Sequence, residues 1–220
     1  MRKVKILGIA LVAMSSIGAS MAVSAPADTL TAQGYPAVLT GQPEEGVKDT
    51  LITTVGTLTC AESKYDATIT GPVTTAGSLV VTPTYPAGCT NFGFPAPIDT
   101  NGCTYVLRVL VAETAGDFDL ECPAGQELTI TLRSGEVPKC TFHFPAQTDM
   151  GGTVRYSNIA GGKLTVEASL TGVDYKHTAG MGLGACASGS GTNGSFSIKA
   201  IFSAETEDGK TATSLALSFL

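Results

Sequence analysis

The chain has no tryptophan, only two histidines, His143 and His177, and charged side chains at just 15% of its 220 positions. Without tryptophan it lacks the broadest ring on which a sugar can stack, leaving Tyr65, Tyr85, Tyr105, Tyr156 and Tyr175 as substitutes, of which Tyr105 reads as buried. Two histidines far apart, beside cysteines expected to be oxidised, do not supply the clustered imidazoles or thiolates of a zinc site. Thirteen basic against nineteen acidic residues leave a net charge of −6. The clustered basic surface that neutralises phosphates is therefore missing, which excludes nucleic acid and disfavours anionic membrane surfaces. No apolar run reaches the ~20 residues of a membrane-spanning helix. No cysteine lies ahead of Cys60 to accept a lipid, so no permanent membrane anchor is expected. Beyond the first residues no apolar stripe at helical spacing is visible.

What is present points to export. Arg2, Lys3 and Lys5 precede the apolar run 6–14, and small residues follow from Ser15 onward, the three-part pattern of a secretory signal. Residues 1–27 read as that signal, with cleavage between 22 and 27; Ala22 and Ala27 are both acceptable, whereas a cut after Ala25 would place Pro26 directly beyond it. The expected location is secreted or periplasmic.

Six cysteines in an exported chain, Cys60, Cys89, Cys103, Cys122, Cys140 and Cys186, imply three disulfides with many possible connectivities. Cys89 and Cys103 bracket an aperiodic stretch holding Pro95, Pro97 and Asn101-Gly102, so that pair is the first expectation. Cys122 with Cys140 and Cys60 with Cys186 complete the set.

Alternation of apolar and polar residues and frequent Gly, Thr and Pro give an all-β reading. Residues 28–50 are polar and broken by Gly and Pro, and read as an N-terminal extension. Residues 51–220 read as one β domain, with strands expected over 51–59, 66–70, 78–84, 104–112, 117–122, 127–133, 139–144, 163–171, 195–202 and 211–219. Residues 104–112 are apolar at nearly every position, Arg108 excepted, which suits a strand covered on both faces. The inward parity of Leu164, Val166, Ala168 and Leu170 slips by one at Val173 and Tyr175, predicting a bulge or bend at Gly172. Residues 179–194 are glycine-rich and read as a long loop held by Cys186. About ten short strands with turns between them suggest an antiparallel β-sandwich, with a partly closed barrel as the alternative.

The stretches Thr84-Tyr85-Pro86-Ala87-Gly88-Cys89, Asp99-Thr100-Asn101-Gly102-Cys103, and His177-Thr178-Ala179-Gly180 through Gly184-Ala185-Cys186 resemble those of exported six-cysteine β-rich bacterial proteins of unassigned activity. The resemblance covers most of the chain after the signal. It implies no active site, because that group has none established.

Several clusters merit a chemical reading. Asp117, Asp119 and Glu121 occupy alternate strand positions and project three carboxylates to one side, a solvated face that calcium could bridge. His143, between Phe142 and Phe144, reads as a surface imidazole. His177 shares the parity of Tyr175 and reads as a hydrogen-bonded residue at a strand end, although Ser188 or Ser190 lies near enough in sequence for a serine–histidine pair. No nucleophile elbow surrounds those serines. Gly180, Gly182 and Gly184 lack the strand–helix context of a phosphate cradle. No cofactor is expected.

The leading expectation is a non-enzymatic exported β-domain with a structural or binding role. One alternative is a secreted hydrolase using the 179–194 loop or the acidic strand face. The other is a carbohydrate- or protein-binding module with a cell-surface glycan or protein as partner, which requires a cluster of exposed tyrosines.

Overall fold

A computed structural model describes residues 29–74, 77–86, 89–108, 117–148, 150–182, 186–206 and 217–219. Residues 1–27 of the expected signal, 109–112 of the expected 104–112 strand and 211–216 of the expected 211–219 strand lie outside the described residues. Every described element is a strand. In chain order they are β1 (Thr29–Ala32), β2 (Ala37–Pro43), β3 (Asp49–Thr53), β4 (Gly56–Cys60), β5 (Lys64–Ile69), β6 (Val73–Thr74), β7 (Ser78–Thr84), β8 (Cys89–Asn91) and β9 (Phe94–Pro95). There follow β10 (Ile98–Asp99), β11 (Thr104–Arg108), β12 (Phe118–Glu121), β13 (Leu128–Ser134), β14 (Val137–Phe144), β15 (Gly151–Ile159), β16 (Lys163–Ala179), β17 (Gly189–Thr206) and β18 (Leu217–Phe219).

The organising unit is the hairpin of β16 and β17, 17 and 18 residues long, in register from Leu164 opposite Phe202 to His177 opposite Gly189. Each long strand serves two neighbours. β16 pairs with β15 over 163–171 and with β14 over 176–179; β17 pairs with β3 over 195–197 and with β2 over 200–206. From β2 the sheet runs on through β5, β7, β11 and β12, from β14 through β13 to β10, and from β3 through β4, β8 and β9. These antiparallel limbs fold over one apolar core without closing into a barrel. A bridge between Leu120 and Gln147 ties the edge strand β12 back to the chain after β14.

The hairpin divides where the sequence parity slips. The β16–β17 register shifts between Thr171 and Tyr175, and Gly172 adopts φ 74°, a left-handed conformation that glycine enters without a Cβ clash. Above and below that bulge the inward residues Leu164, Val166, Leu170, Val173 and Tyr175 are all buried.

Several expectations are corrected. Residues 28–50 are not an extension ahead of the packed domain: β2 lies between β17 and β5, and Ala37 and Leu39 are buried. Their apolar positions are few, but strands on both sides and a core beneath suffice to hold them. The 51–59 segment is a hairpin, turning at Thr54 and Val55 before Gly56. The 90–102 stretch contains the short strands β8, β9 and β10. The expected loop 179–194 is shorter, since β17 begins at Gly189. The nine-residue strand β15 opens on Gly151 and Gly152, which hide its periodicity.

The disulfides also differ from expectation. They join Cys60 to Cys89, Cys103 to Cys122 and Cys140 to Cys186. Cys60 and Cys89 are cross-strand partners in the β4–β8 register, with Cα atoms 3.9 Å apart. Cys103 and Cys122 flank the paired strands β11 and β12, where Thr104 stands opposite Glu121. Cross-strand adjacency, not proximity along the chain, sets the first two pairings; in the third, Cys140 of β14 meets Cys186, which lies ahead of β17 and donates its N–H to the Lys139 carbonyl.

Candidate functional site

The acidic cluster does not assemble as a solvated face. Asp117 is half-buried and Glu121 exposed, while Asp119 has no exposed surface and accepts from Arg108 Nε at 3.2 Å and Nη2 at 2.7 Å. Its register partner Val106 is buried too, whereas Arg108 and Glu121 on the same side remain exposed, so only the centre of this face is covered. The Arg108 that interrupts an apolar strand is thus explained by a buried carboxylate that needs a cation.

His177 lies elsewhere, at the end of β16. Its ring stacks on Tyr175 and lies near Phe142, its Nδ1 is 2.7 Å from the Ala187 carbonyl, and it covers Gly189, where a Cβ would meet the ring at 2.9 Å. This is the hydrogen-bonded strand-end residue expected. The Ser188 hydroxyl accepts the Ala179 N–H at 3.0 Å, and Ser190 stands opposite Lys176. Cys140, His177 and Cys186 approach within 4.8 Å, but the two sulfurs are bonded to each other and so are not thiolate ligands. The N–H groups of Gly180 and Met181 donate to Lys139 and Pro138 carbonyls, not to an anion cradle. His143 is partly exposed with Nδ1 3.3 Å from Glu127 Oε2. Of the tyrosines, Tyr65, Tyr105, Tyr156 and Tyr175 are buried, Tyr85 is half-buried and Tyr35 alone is exposed; they do not form an exposed cluster.

Two other features stand out. The first is the outer face of β15, β16, β17, β3, β4 and β8. One in-register row crosses all six strands as Thr153, Ser169, Ser197, Thr50, Thr59 and Thr90. At a strand spacing near 4.8 Å this row is about 24 Å long. Beside it runs a second row of Gly151, Thr171, Ser195, Ile52 and Thr57. Neither row contains a charge; charge begins only in the next, with Arg155, Glu167 and Lys199. Next to β8, Phe92 is 74% exposed and held at φ 49°, and its ring lies over Gly56, where a Cβ would meet Cε2 at 2.4 Å. A left-handed, solvent-exposed aromatic is strained.

The second is interior. A cavity of about 50 Å³ lies where the limbs face each other, walled chiefly by apolar side chains including Leu58, Phe118, Ile130, Leu170 and Phe196. Asp49 and Tyr85 also line it. Asp49 is 2% exposed. Its Oδ2 accepts from the Ser63 and Tyr65 hydroxyls, while its Oδ1 is buried with no hydrogen-bond partner. Burial raises the carboxyl above its ordinary pKa, the two hydrogen bonds opposing that shift. Tyr85 and Tyr105 share a hydrogen bond of 2.7 Å; burial above all keeps both phenols protonated well past the usual range, that bond adding to the shift of Tyr85 and opposing that of Tyr105.

The sequence reading missed both features. Asp49 lies in a segment whose sequence reads as an extension, and the hydroxyl rows exist only through strand register. In comparisons with known proteins, no family model, no curated protein and no solved structure matches the chain.

Proposed function

We propose that this protein is an exported, non-enzymatic β-domain with a binding role outside the cytoplasm, and that its ligand is a neutral glycan held on the outer face of β15, β16, β17, β3, β4 and β8. Three disulfides support an oxidising destination. The observation that carries the binding reading is the uncharged pair of rows, bearing hydroxyls at every position but Gly151 and Ile52, beside the strained, exposed Phe92. Hydroxyls both donate and accept, so they match a partner covered in hydroxyls. The absence of charge leaves no ion to attract an acidic or basic polymer, and the Phe92 ring offers an apolar platform for the C–H face of a sugar. The imidazole and serine of the rival hydrolase reading bond to backbone groups, which favours the non-catalytic reading.

The test is a glycan array probed with the mature oxidised protein and with Phe92→Asn. Retention on neutral glycans is expected, with loss in the variant. Asparagine tolerates the left-handed conformation, so the variant should be as stable as the parent or more so by about 1 kcal/mol. Binding confined to acidic glycans, capture of protein alone, or neutral-glycan binding indifferent to Phe92 would each overturn the assignment.

A further inference from the structure

A second site, separate from the outer face, lies inside the fold. We propose that the cavity between the limbs binds a small, largely apolar molecule carrying one hydroxyl, of the class of a phenol or short alcohol, with Asp49 Oδ1 accepting its hydrogen.

Two independent observations converge on this chemistry. The space is about 50 Å³, whereas a single water needs ~10–15 Å³ measured in this way. The walls are almost wholly apolar, and apolar cavities stay dry and take up apolar molecules. One water could satisfy the carboxylate and would leave the remainder empty, forfeiting the dispersion contacts of the wall. Separately, Asp49 Oδ1 is a buried acceptor with no partner, and a buried polar atom left unpaired is among the costlier features a fold can carry. The other polar groups of the lining are engaged. Gln147 binds Pro145 and Asp174 through its Nε2, and its Oε1 accepts the Asp174 N–H. The Tyr85–Tyr105 pair shares one hydroxyl hydrogen between its oxygens and retains another to donate. A hydroxyl donating to Asp49 therefore finds a donor for its own oxygen in the same cavity. A hydrocarbon would fill the walls and strand the carboxylate.

The experiment uses the mature oxidised protein, without glycan, titrated with phenol and with toluene while methyl resonances are followed by NMR. Phenol should perturb Leu58, Ile130 and Leu170 methyls saturably and raise the melting temperature. Toluene, alike in size but without the donor, should bind at least about tenfold more weakly. Asp49→Asn keeps the shape. If its carbonyl takes the Ser63 and Tyr65 donors, its amide turns a donor toward the cavity, so preference should shift from phenol to an acceptor such as benzaldehyde. Leu170→Phe, which fills the cavity without touching Asp49, should abolish binding of all three. Equal affinity for phenol and toluene, perturbations confined to outer-face residues, or no saturable binding would each overturn the proposal. Glycan retention by the Phe92 face is read separately, so either assignment can fail while the other stands.

Discussion

Asp49 is the residue whose behaviour differs most from its appearance in sequence. Flanked by Lys48 and Thr50, it reads as solvated, yet strand parity puts it on the inward side of β3 with Leu51. Because burial raises its pKa, the folded protein binds more protons than the unfolded chain in the interval above ~4. Its favourable contribution is therefore complete below the unfolded pKa and is lost as pH rises through the folded value. The phenols facing it, Tyr65 and Tyr105, have pKa values raised by burial and stay neutral across that range. Urea unfolding of parent and Asp49→Asn between about pH 4 and pH 7 should show the parent losing ground to the variant as pH rises; a difference flat in pH would contradict a buried, titrating carboxylate. Asp119 errs the same way in sequence. Alternation shows which residues share a side of a strand, but not whether the polar side is covered, and here the only hint was Arg108 in an apolar run. Removing that cation, Arg108→Ala, should cost about 2–4 kcal/mol in chemical denaturation, well beyond the ordinary value of a surface pair.

At the scale of elements, what the sequence revealed depended on unbroken alternation. β7, β13, β14 and the first half of β16 were legible for that reason, and the parity slip located the bulge at Gly172 correctly. β15 and the start of β17 were not, since their glycines and serines carry little hydropathy signal and hold strand structure only because β16 supplies the hydrogen bonds. β2 was missed for the same reason. The two glycines at the ends of the β16 division should respond differently to substitution. At Gly172 an added Cβ meets open space, so Gly172→Ala should lose only the conformational term, about 1–2 kcal/mol. At Gly180 a Cβ would come within 2.2 Å of the Pro138 carbonyl oxygen and 2.4 Å of the Lys139 carbonyl carbon, so backbone must move beside the Cys140–Cys186 bridge. Thermal melts should rank Gly180→Ala as clearly the more damaging; the reverse order would mean that β14 and the end of β16 are not packed this closely.

For the whole molecule, the disulfides and the sheet divide the task of closure. Each bridge ties segments that the sheet already brings together, at sequence separations of 29, 19 and 46, and none connects the first strands to the last. That connection is made by hydrogen bonding, through β1 on β18 and through β2 and β3 on β17. The sequence suggested that sulfur would perform it, as Cys60 with Cys186, because nothing in residues 28–50 announced a strand at the centre of the sheet. Two consequences separate these roles. Peptide mapping of the unreduced protein should recover the Cys60–Cys89, Cys103–Cys122 and Cys140–Cys186 links and no free thiol. Replacing a single bridge by serines should then cost about 3–4 kcal/mol, most for the longest loop, Cys140–Cys186, because the effect acts mainly on the unfolded chain. Deleting residues 37–43 instead strips β2 from between β17 and β5 and exposes a core edge on both strands, while leaving β1 and every cysteine in place. The truncated chain should lose its cooperative unfolding transition even with all three bridges intact, and a truncated protein that still melted sharply near the parental temperature would mean that the disulfide-linked remainder, not the strand at its centre, holds the fold together.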